Sequence, residues 1–265
     1  MDAGGVLFNN VTEETDFLDR LAARHGADTQ RLRGEIDARD AAYETGRAHV
    51  HDVLRDALAA AGAPAGVAVD ARWLDDLYRD CLAVHPGAFT AIDGIRRHRP
   101  DILLVLTNNE AAHWDRVKDD RYGHLGRFDV IASSWQVGEV KPTGEFFEAV
   151  ARRCGRPLDD AVLLDDNPDV LAEARHHGLR TLHVESPATL PEAVARLPGL
   201  PATGPIRRPD MNATSPEDTP AAQRTPLLPE QRRFLTTAIP NLQGGGGRRG
   251  VRSHLIGHGR RGLLR

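Results

Sequence analysis

The chain carries a series of polar side chains whose types suit phosphoryl transfer, in the order Asp2, Thr107, Lys141, Asp165 and Asp166. A carboxylate such as that of Asp2 can attack phosphorus and carry the phosphoryl group covalently. A hydroxyl and an ammonium group, here Thr107 and Lys141, can hold phosphate oxygens, and paired carboxylates bind Mg²⁺. Lys141 also offsets the repulsion between Asp2 and an anionic substrate. These residue types predict a metal-dependent phosphoryl-transfer site.

Lysine is rare in this chain, and this draws attention to Lys141. Among 34 basic residues, only Lys118 and Lys141 are lysines. A compact ammonium group suits a crowded anionic site where a planar guanidinium does not fit. Each candidate also has a plain alternative: Asp2 in an ordinary turn, Thr107 and the pair 165–166 as helix caps, and Lys141 in a surface turn.

Residues 11–85 have the apolar spacing of amphipathic helices, with apolar side chains at i, i+3, i+4 and i+7. The pattern predicts one helix that is capped by Thr12 and ends near His25, and a second that runs over 32–43. A third helix is predicted over 50–61, and Asp70 is predicted to cap a fourth. These helices separate Asp2 from the other candidate residues in the chain and must bring them together.

After residue 86 the pattern changes to short apolar runs that alternate with helical stretches. The runs are 102–106, 128–132, 162–164 and 180–184, and the helical stretches are 109–121, 144–154 and 168–177. This alternation predicts an α/β domain with a parallel sheet. Ligands of such sheets bind at the carboxyl ends of the strands, and Thr107 and Asp165 both lie at such ends.

Composition narrows the class of protein further. The hydrophobic fraction of 40% is enough for a core, and the two cysteines, Cys81 and Cys154, form no disulfide or zinc framework. The chain shows no secretory signal and no apolar run of about 18 residues. We therefore expect a cytoplasmic protein that is not inserted in a membrane.

Residues 201–265 have a different composition from the rest of the chain. They contain repeated prolines, a run of four glycines, and 11 arginines against four acidic residues. This composition predicts a disordered tail. Arginine and glycine give only a weak indication of nucleic-acid binding, and a solvated tail is the preferred interpretation.

Four motifs, in order, resemble those of haloacid dehalogenase (HAD) superfamily hydrolases with a helical cap between the first and second motifs. They are Asp-Ala-Gly-Gly-Val-Leu at 2–7, Leu-Thr-Asn at 106–108, Ser-Ser-Trp-Gln-Val-Gly-Glu-Val-Lys-Pro at 133–142 and Leu-Leu-Asp-Asp-Asn-Pro-Asp at 163–169. The resemblance extends over about residues 1–186. It implies a Rossmann-like three-layer core with a parallel sheet, formed by 1–10 and 86–200, and an all-α cap formed by 11–85.

The resemblance also implies an activity. The expected reaction is Mg²⁺-dependent hydrolysis of a small phosphorylated metabolite, such as a sugar phosphate, through an aspartyl phosphate. Asp2 is then the nucleophile and a metal ligand, and the Gly4 carbonyl is a second ligand. Phosphate is bound by Thr107, Asn108 and Lys141, and the metal is held by Asp165 and Asp166. Tyr43 and Arg47 are candidates for substrate selection by the cap.

Three departures from the family pattern bear on activity. Gly4 stands where most phosphatases of the superfamily have a second aspartate that acts as general acid and base, although one sugar-phosphate phosphatase-like group shares the Asp-x-Gly pattern. Val170 replaces an asparagine in the fourth motif. Only Met1 precedes Asp2, whereas the family carries its nucleophile on a central strand, so the sequence predicts that this strand is missing and that the natural protein has further residues upstream.

Several alternatives stay open at this stage. Receiver domains of two-component signalling use similar residues, but in a different order. A 2-haloacid dehalogenase shares the scaffold and needs no metal, whereas the acidic pair at 165–166 favours a metal-dependent phosphatase. A non-catalytic binding or regulatory protein with the same fold is the third alternative, because of Gly4, Val170 and the missing first strand. The sequence predicts no oligomeric state.

Overall fold

The computed structural model describes residues 1–195, so the predicted tail at 201–265 lies outside the described residues. Its helices, in chain order, are α1 (Val11–Glu14), α2 (Phe17–His25), α3 (Thr29–Asp37), α4 (Asp40–Glu44), α5 (Val50–Ala60), α6 (Ala71–Cys81), α7 (Ala88–His98), α8 (Ala112–Tyr122), α9 (Ser134–Val137), α10 (Gly144–Cys154), α11 (Pro168–His176) and α12 (Leu190–Ala195). Within residues 1–195, no helix has the length and apolar character needed to cross a membrane.

The first predicted helix of the 11–85 segment is wrong in its start. Thr12 lies inside the short helix α1 and does not cap it, and α2 begins only at Phe17. The side chain of Thr15 explains the break, because its hydroxyl donates to the Val11 carbonyl and accepts from the Phe17 amide. A threonine that bonds to the backbone in this way competes with helix continuation.

The second predicted helix is divided into α3 and α4. The Glu35 carbonyl would accept from the Arg39 amide in a continuous helix, but it accepts from the Arg39 guanidinium at 2.8 Å. The Arg39 amide donates instead to the Ile36 carbonyl. The two later helices, α5 and α6, are as predicted, and the Asp70 carboxylate caps α6 by accepting from two backbone amides.

In the described part of the chain, four short strands form two parallel pairs. Strand β1 (Val105–Leu106) pairs with β2 (Val130–Ile131), and β3 (Val162–Asp165) pairs with β4 (Arg180–His183). Parallel strands alternating with helices confirm the predicted α/β core. Strand β1 is shorter than the apolar run at 102–106, since the Leu104 amide donates to the Asp129 carboxylate.

The first two residues lie between the two strand pairs. The Met1 amino group donates to the Val105 carbonyl, the Thr107 amide donates to the Met1 carbonyl, and the Asp2 amide donates to the Leu164 carbonyl, each at 2.9 Å. No strand precedes β1 within the described residues. A largely apolar cavity of about 150 Å³ lies beside Met1, between β1 and β3.

A buried turn fixes the position of Asp2. Ala3, Val6, Leu7 and Phe8 are all completely buried, and the amides of Leu7 and Phe8 both donate to the Ala3 carbonyl. The Phe8 ring packs edge-on against Phe89. Burying these apolar side chains stabilises the turn by roughly 1.5–3 kcal/mol for each large one. Asp2 is therefore held between an anchored turn and the strands.

Candidate active site

An acidic cavity of about 380 Å³ lies at the carboxyl ends of β1 and β3. Its charged lining residues are seven acids and both lysines of the chain: Asp2, Glu13, Asp40, Glu44, Glu110, Asp165, Asp166, Lys118 and Lys141. With all groups ionised, the lining carries an excess of negative charge. Such a cavity attracts cations and binds an anion only with cationic help.

Lys141 lies between two of the predicted site carboxylates. Its Nζ is 2.9 Å from Asp2 Oδ1 and 2.7 Å from Asp165 Oδ2. The exposed fractions of these side chains are 4% for Lys141, 13% for Asp2 and 0% for Asp165. Charges this deeply buried are stable only when they are paired and hydrogen-bonded. The three residues therefore form one buried ionic unit.

Burial and charge act in opposite directions on the pKa values of this unit. Burial raises the pKa of Asp2 to about 6, although Lys141 works against the increase. Burial lowers the pKa of Lys141, but the charges of Asp2 and Asp165 outweigh it, so that the pKa lies above its usual value. At neutral pH, both the carboxylate of Asp2 and the ammonium group of Lys141 are therefore charged.

Asn109 holds the backbone of Lys141 in place. The Asn109 side-chain amide donates to the Lys141 carbonyl at 2.9 Å, and its oxygen accepts from the Lys141 amide at 2.8 Å. This pair of bonds connects the end of β1 to the loop before α10. Sequence reasoning missed Asn109, although it directly follows the motif at 106–108.

Three carboxylates form a set of oxygen donors around one point. One oxygen each of Asp2, Asp165 and Asp166 lies within 4.8 Å of the others. Asp165 is fixed because its Oδ1 accepts from the Asn167 amide at 3.0 Å. Carboxylate oxygens are the ligands that Mg²⁺ prefers, so the donor set fits the predicted ion. The predicted metal ligands are thus brought together, and the backbone of Gly4 lines the same cavity.

Two glycines of the turn after Asp2 lie against neighbouring side chains, which would have to shift if a Cβ atom were added. A Cβ atom at Gly4 would lie 2.3 Å from Asn10 Oδ1, and one at Gly5 would lie 2.0 Å from Asp166 Oδ2. Gly5 also has φ of +64°, a conformation that favours glycine. The turn after Asp2 therefore lies directly against the Asp166 carboxylate.

Gly5→Ala is expected to displace Asp166 and to weaken Mg²⁺ binding by at least about 10-fold, comparable to the loss of a residue that supports a ligand. The matched control is Gly155→Ala. Gly155 has φ of +61°, but a Cβ atom there would meet no neighbouring atom of the described residues within 4 Å. Both changes carry the cost of a left-handed alanine, about 1–2 kcal/mol. Calorimetric titration with Mg²⁺ measures the difference, and equal affinities in the two variants would contradict the role given to this contact.

Thr107 and Asn108 are buried near the cavity but have other partners. The Thr107 hydroxyl accepts from the Met1 amino group at 3.2 Å. The Asn108 amide donates to Asp115 at 3.0 Å, and its oxygen accepts from the Ser133 hydroxyl. Neither residue is in the lining of the acidic cavity. Phosphate binding by these two side chains stays a prediction.

A second buried ion pair lies across the cavity and was not predicted. Lys118 Nζ contacts Glu110 Oε2, and the Tyr78 hydroxyl donates to the same carboxylate at 3.4 Å. Burial lowers the pKa of Lys118, but the charges of Glu110 and Asp115 outweigh this effect, so that the pKa lies above its usual value. The argument from the rarity of lysine, which was used for Lys141, holds equally for Lys118. Its position inside a predicted helix concealed it.

The two residues suggested for substrate selection have different surroundings. Tyr43 lines the acidic cavity. Arg47 is not among the lining residues, and its guanidinium donates to the Ala41 carbonyl at 3.4 Å. Val170, which replaces the asparagine expected in the fourth motif, is also part of the lining.

Glu44 gives the cavity a protonated carboxyl group. Burial, together with the charges of Asp40 and Glu110, raises the pKa of Glu44 to about 8. The folded state therefore holds a proton that the unfolded chain releases near pH 4.5. The associated stability is complete below about pH 4.5 and is lost as the pH rises towards about 8.

Glu44→Gln is expected to remove most of this pH dependence, because a neutral amide replaces the acid. Each pKa unit corresponds to about 1.4 kcal/mol, so the variant gains up to about 4 kcal/mol relative to the parent between about pH 5 and 9. Urea unfolding at both pH values measures this gain. Glu148→Gln on α10 is the control, since that carboxylate is mostly exposed. Parallel stability curves for Glu44→Gln and the parent would show that Glu44 titrates normally.

Comparisons with known proteins show the family to which the chain belongs. A family model described as haloacid dehalogenase-like hydrolase matches residues 1–178. The chain therefore belongs to the haloacid dehalogenase-like hydrolases, and the family resemblance predicted from the motifs is confirmed. No curated protein matches the chain.

Solved structures show the same fold at low sequence identity. A HAD family enzyme from Bacteroides thetaiotaomicron in a magnesium complex has 18% identity and a TM-score of 0.57, covering 69% of this chain and 89% of that one. A predicted HAD-like hydrolase from Porphyromonas gingivalis has 19% identity and a TM-score of 0.52, with coverage of 69% and 87%. An L-2-haloacid dehalogenase has 16% identity and a TM-score of 0.51, with coverage of 77% and 89%. These similarities support the fold. They do not distinguish a phosphatase from a 2-haloacid dehalogenase.

Proposed function

We propose that this hydrolase is a Mg²⁺-dependent phosphohydrolase that acts on a small phosphorylated metabolite in the cytoplasm through an aspartyl phosphate. The observation that carries the proposal is the buried unit of Asp2, Lys141 and Asp165, together with Asp166. A cation site next to a carboxylate and a fixed ammonium group is what a phosphate monoester needs.

In the proposed reaction, Asp2 Oδ forms a bond to phosphorus while the bond from phosphorus to the ester oxygen breaks. The ester oxygen leaves with the electron pair and takes a proton from solvent. Water then attacks phosphorus, releases inorganic phosphate and restores the Asp2 carboxylate. Lys141 holds its ammonium group 2.9 Å from Asp2 and opposes the charge that collects between nucleophile and substrate. Bound Mg²⁺ would supply further neutralisation of the phosphate oxygens.

The turn at Gly4 gives the proposed enzyme a preference for good leaving groups. No carboxylic acid projects from this position, and Asn10 fills the space that a side chain would need. General acid help is typically worth about 10²–10⁴ in rate, and it matters most for poor leaving groups. Aryl and anomeric phosphates should therefore be hydrolysed faster than simple alkyl phosphates.

The helices at 11–85 are proposed to act as the cap that selects the substrate. Tyr43 and Glu44 from α4 and Tyr78 from α6 line the acidic cavity opposite the strand ends. Aromatic rings and a protonated carboxyl group can pack against and hydrogen-bond to a small polar substrate.

A 2-haloacid dehalogenase is the second candidate, because Asp2 is equally suited to attack carbon. The three carboxylates around one point favour the phosphatase, since a metal-free dehalogenase has no use for a divalent cation site. The test compares p-nitrophenyl phosphate and 2-chloropropionate as substrates, each with Mg²⁺ and with EDTA. Phosphate release that requires Mg²⁺ supports the proposal. Chloride release that is unaffected by EDTA would support the dehalogenase, and neither product would support a non-catalytic protein.

A further inference from the structure

A second cluster of metal-ligating side chains lies outside the acidic cavity. His51 on α5, Asp75 on α6 and His113 on α8 point at one another from three helices. His51 Nε2 is 3.0 Å from Asp75 Oδ1, and His113 Nε2 is 2.7 Å from the same oxygen. The three ligand atoms all lie within 4.8 Å of one another.

The cluster is partly buried but open to solvent. The exposed fractions of the side chains are 14% for His51, 18% for Asp75 and 21% for His113. An ion can therefore enter, and packing holds the ligands in place. Imidazole rings bind metals through a nitrogen lone pair, in the neutral form of the ring.

We propose that His51, Asp75 and His113 form a zinc-type transition-metal site that joins α5 and α6 to α8. Two imidazoles and one carboxylate suit Zn²⁺, Co²⁺, Ni²⁺ or Cu²⁺ and do not suit Mg²⁺, which prefers oxygen ligands. Three protein ligands leave a fourth position for water. This site is separate from the oxygen donors at Asp2 and does not depend on the function proposed for them.

The two distances to the Asp75 oxygen are close to those between the ligands of a zinc ion. Zinc bonds of about 2.0–2.1 Å place tetrahedral ligand atoms about 3.3 Å apart, and the two Nε2 atoms lie 3.0 and 2.7 Å from Asp75 Oδ1. On binding, the metal takes the Nε2 lone pair of each ring, and each ring carries its proton on Nδ1. The Asp75 carboxylate balances one of the two positive charges.

The surroundings of the cluster connect it to the wall of the acidic cavity. The His51 ring is 5.4 Å from the ring of Trp114, which stacks on Tyr78 at 4.1 Å with the two planes parallel. Tyr78 and Trp114 both line the cavity. His49 is also close, and its Nδ1 accepts from the His51 amide, which fixes the start of α5. A bound ion would therefore stabilise the positions of Trp114 and Tyr78 in the cavity lining.

The test uses the full chain, stripped of metal with a chelator, returned to chelator-free buffer and titrated with Co²⁺. We expect one equivalent of Co²⁺ to bind with the ligand-field absorption of a low coordination number. This absorption should persist in Asp166→Asn. His51→Gln and His113→Gln should each weaken binding by at least about 10-fold, because even the loss of an outer partner of a ligand costs about 10–100-fold. The matched control is His98→Gln, an exposed histidine on α7, which should bind like the parent.

A measurement on the unmodified chain keeps the test valid if a variant fails to fold. With one equivalent of Cu²⁺, the electron paramagnetic resonance spectrum should show superhyperfine splitting from imidazole nitrogen. Zinc should also raise Tm in the parent and in His98→Gln, but not in His113→Gln. The proposal is overturned if the chain binds no Co²⁺, if binding disappears in Asp166→Asn, or if the histidine variants bind as tightly as the parent.

Discussion

Asp2→Asn is expected to lower the Mg²⁺-dependent hydrolysis of p-nitrophenyl phosphate by at least about 1,000-fold, because an amide oxygen does not form a covalent phosphoenzyme. The change preserves the shape of the side chain, and the amide oxygen can still accept from Lys141 and from the Ala3 amide. The fold should therefore be retained, as judged by circular dichroism and Tm. Initial rates at saturating Mg²⁺ measure the effect.

Asp169→Asn is the matched control for this experiment. Asp169 is exposed in the first turn of α11, three residues from Asp166 but outside the cavity lining. Asp169→Asn also replaces one carboxylate by an amide, but outside the cavity, so its rate should stay within about twofold of the parent. If Asp2→Asn retained the parental rate, Asp2 would not be the nucleophile and the proposed reaction would fail at its first step.

Lys141→Met is expected to destabilise the protein by about 3–5 kcal/mol in EDTA, because it leaves the carboxylates of Asp2 and Asp165 buried without a cation. Methionine fills much of the same volume, so the loss comes from charge and not from a cavity. Urea unfolding in EDTA measures this loss. Saturating Mg²⁺ should recover part of it, since the ion neutralises the same carboxylates.

A double variant separates the ion pair from other effects of the change. The double variant Lys141→Met with Asp165→Asn removes one of the two buried carboxylates that Lys141→Met leaves without a cation. It should therefore be more stable than Lys141→Met alone. The ion pair of Arg96 and Asp129, elsewhere in the protein, serves as a control. A change to that pair should alter the free energy of unfolding by the same amount with and without Lys141→Met. If Lys141→Met cost less than about 1 kcal/mol in EDTA, the buried ionic unit would not exist in solution.

The fold was predictable where the apolar pattern was simple. The α/β core, helix α10 at 144–154 and the cap of α6 at Asp70 followed from periodicity and capping residues. The helix boundaries at Thr15 and Arg39 did not, because single side chains there bond to backbone groups that a continuous helix would use. Such local competition leaves no trace in the spacing of apolar residues.

The site was predictable to the extent that motif order reflects position in space. Asp2, Lys141, Asp165 and Asp166 come together as expected, because the ends of parallel strands meet at one edge. Asn109 was not predictable in this way. Its role depends on a reciprocal bond to Lys141, 32 residues away, which no local pattern indicates.

The cluster of His51, Asp75 and His113 shows a further limit of reading the sequence alone. The three residues lie on three helices, separated by 24 and 38 residues, with no spacing typical of a metal motif. Histidines in amphipathic helices are common, so only the packing of α5 and α6 against α8 brings them together. The rarity of lysine, in contrast, drew attention to Lys141, and the same argument could have identified Lys118, since both lysines form buried ion pairs.

The central claim is that Asp2 becomes phosphorylated, and trapping the phosphoenzyme tests it most directly. The full chain is mixed with a phosphate monoester and Mg²⁺, quenched in acid within one turnover, and treated with hydroxylamine, which converts an acyl phosphate to a hydroxamate. Peptide mass spectrometry should then find the modification on Asp2, in an amount that falls to background with Asp2→Asn. Turnover without any modified Asp2, or modification at another residue, would contradict the account.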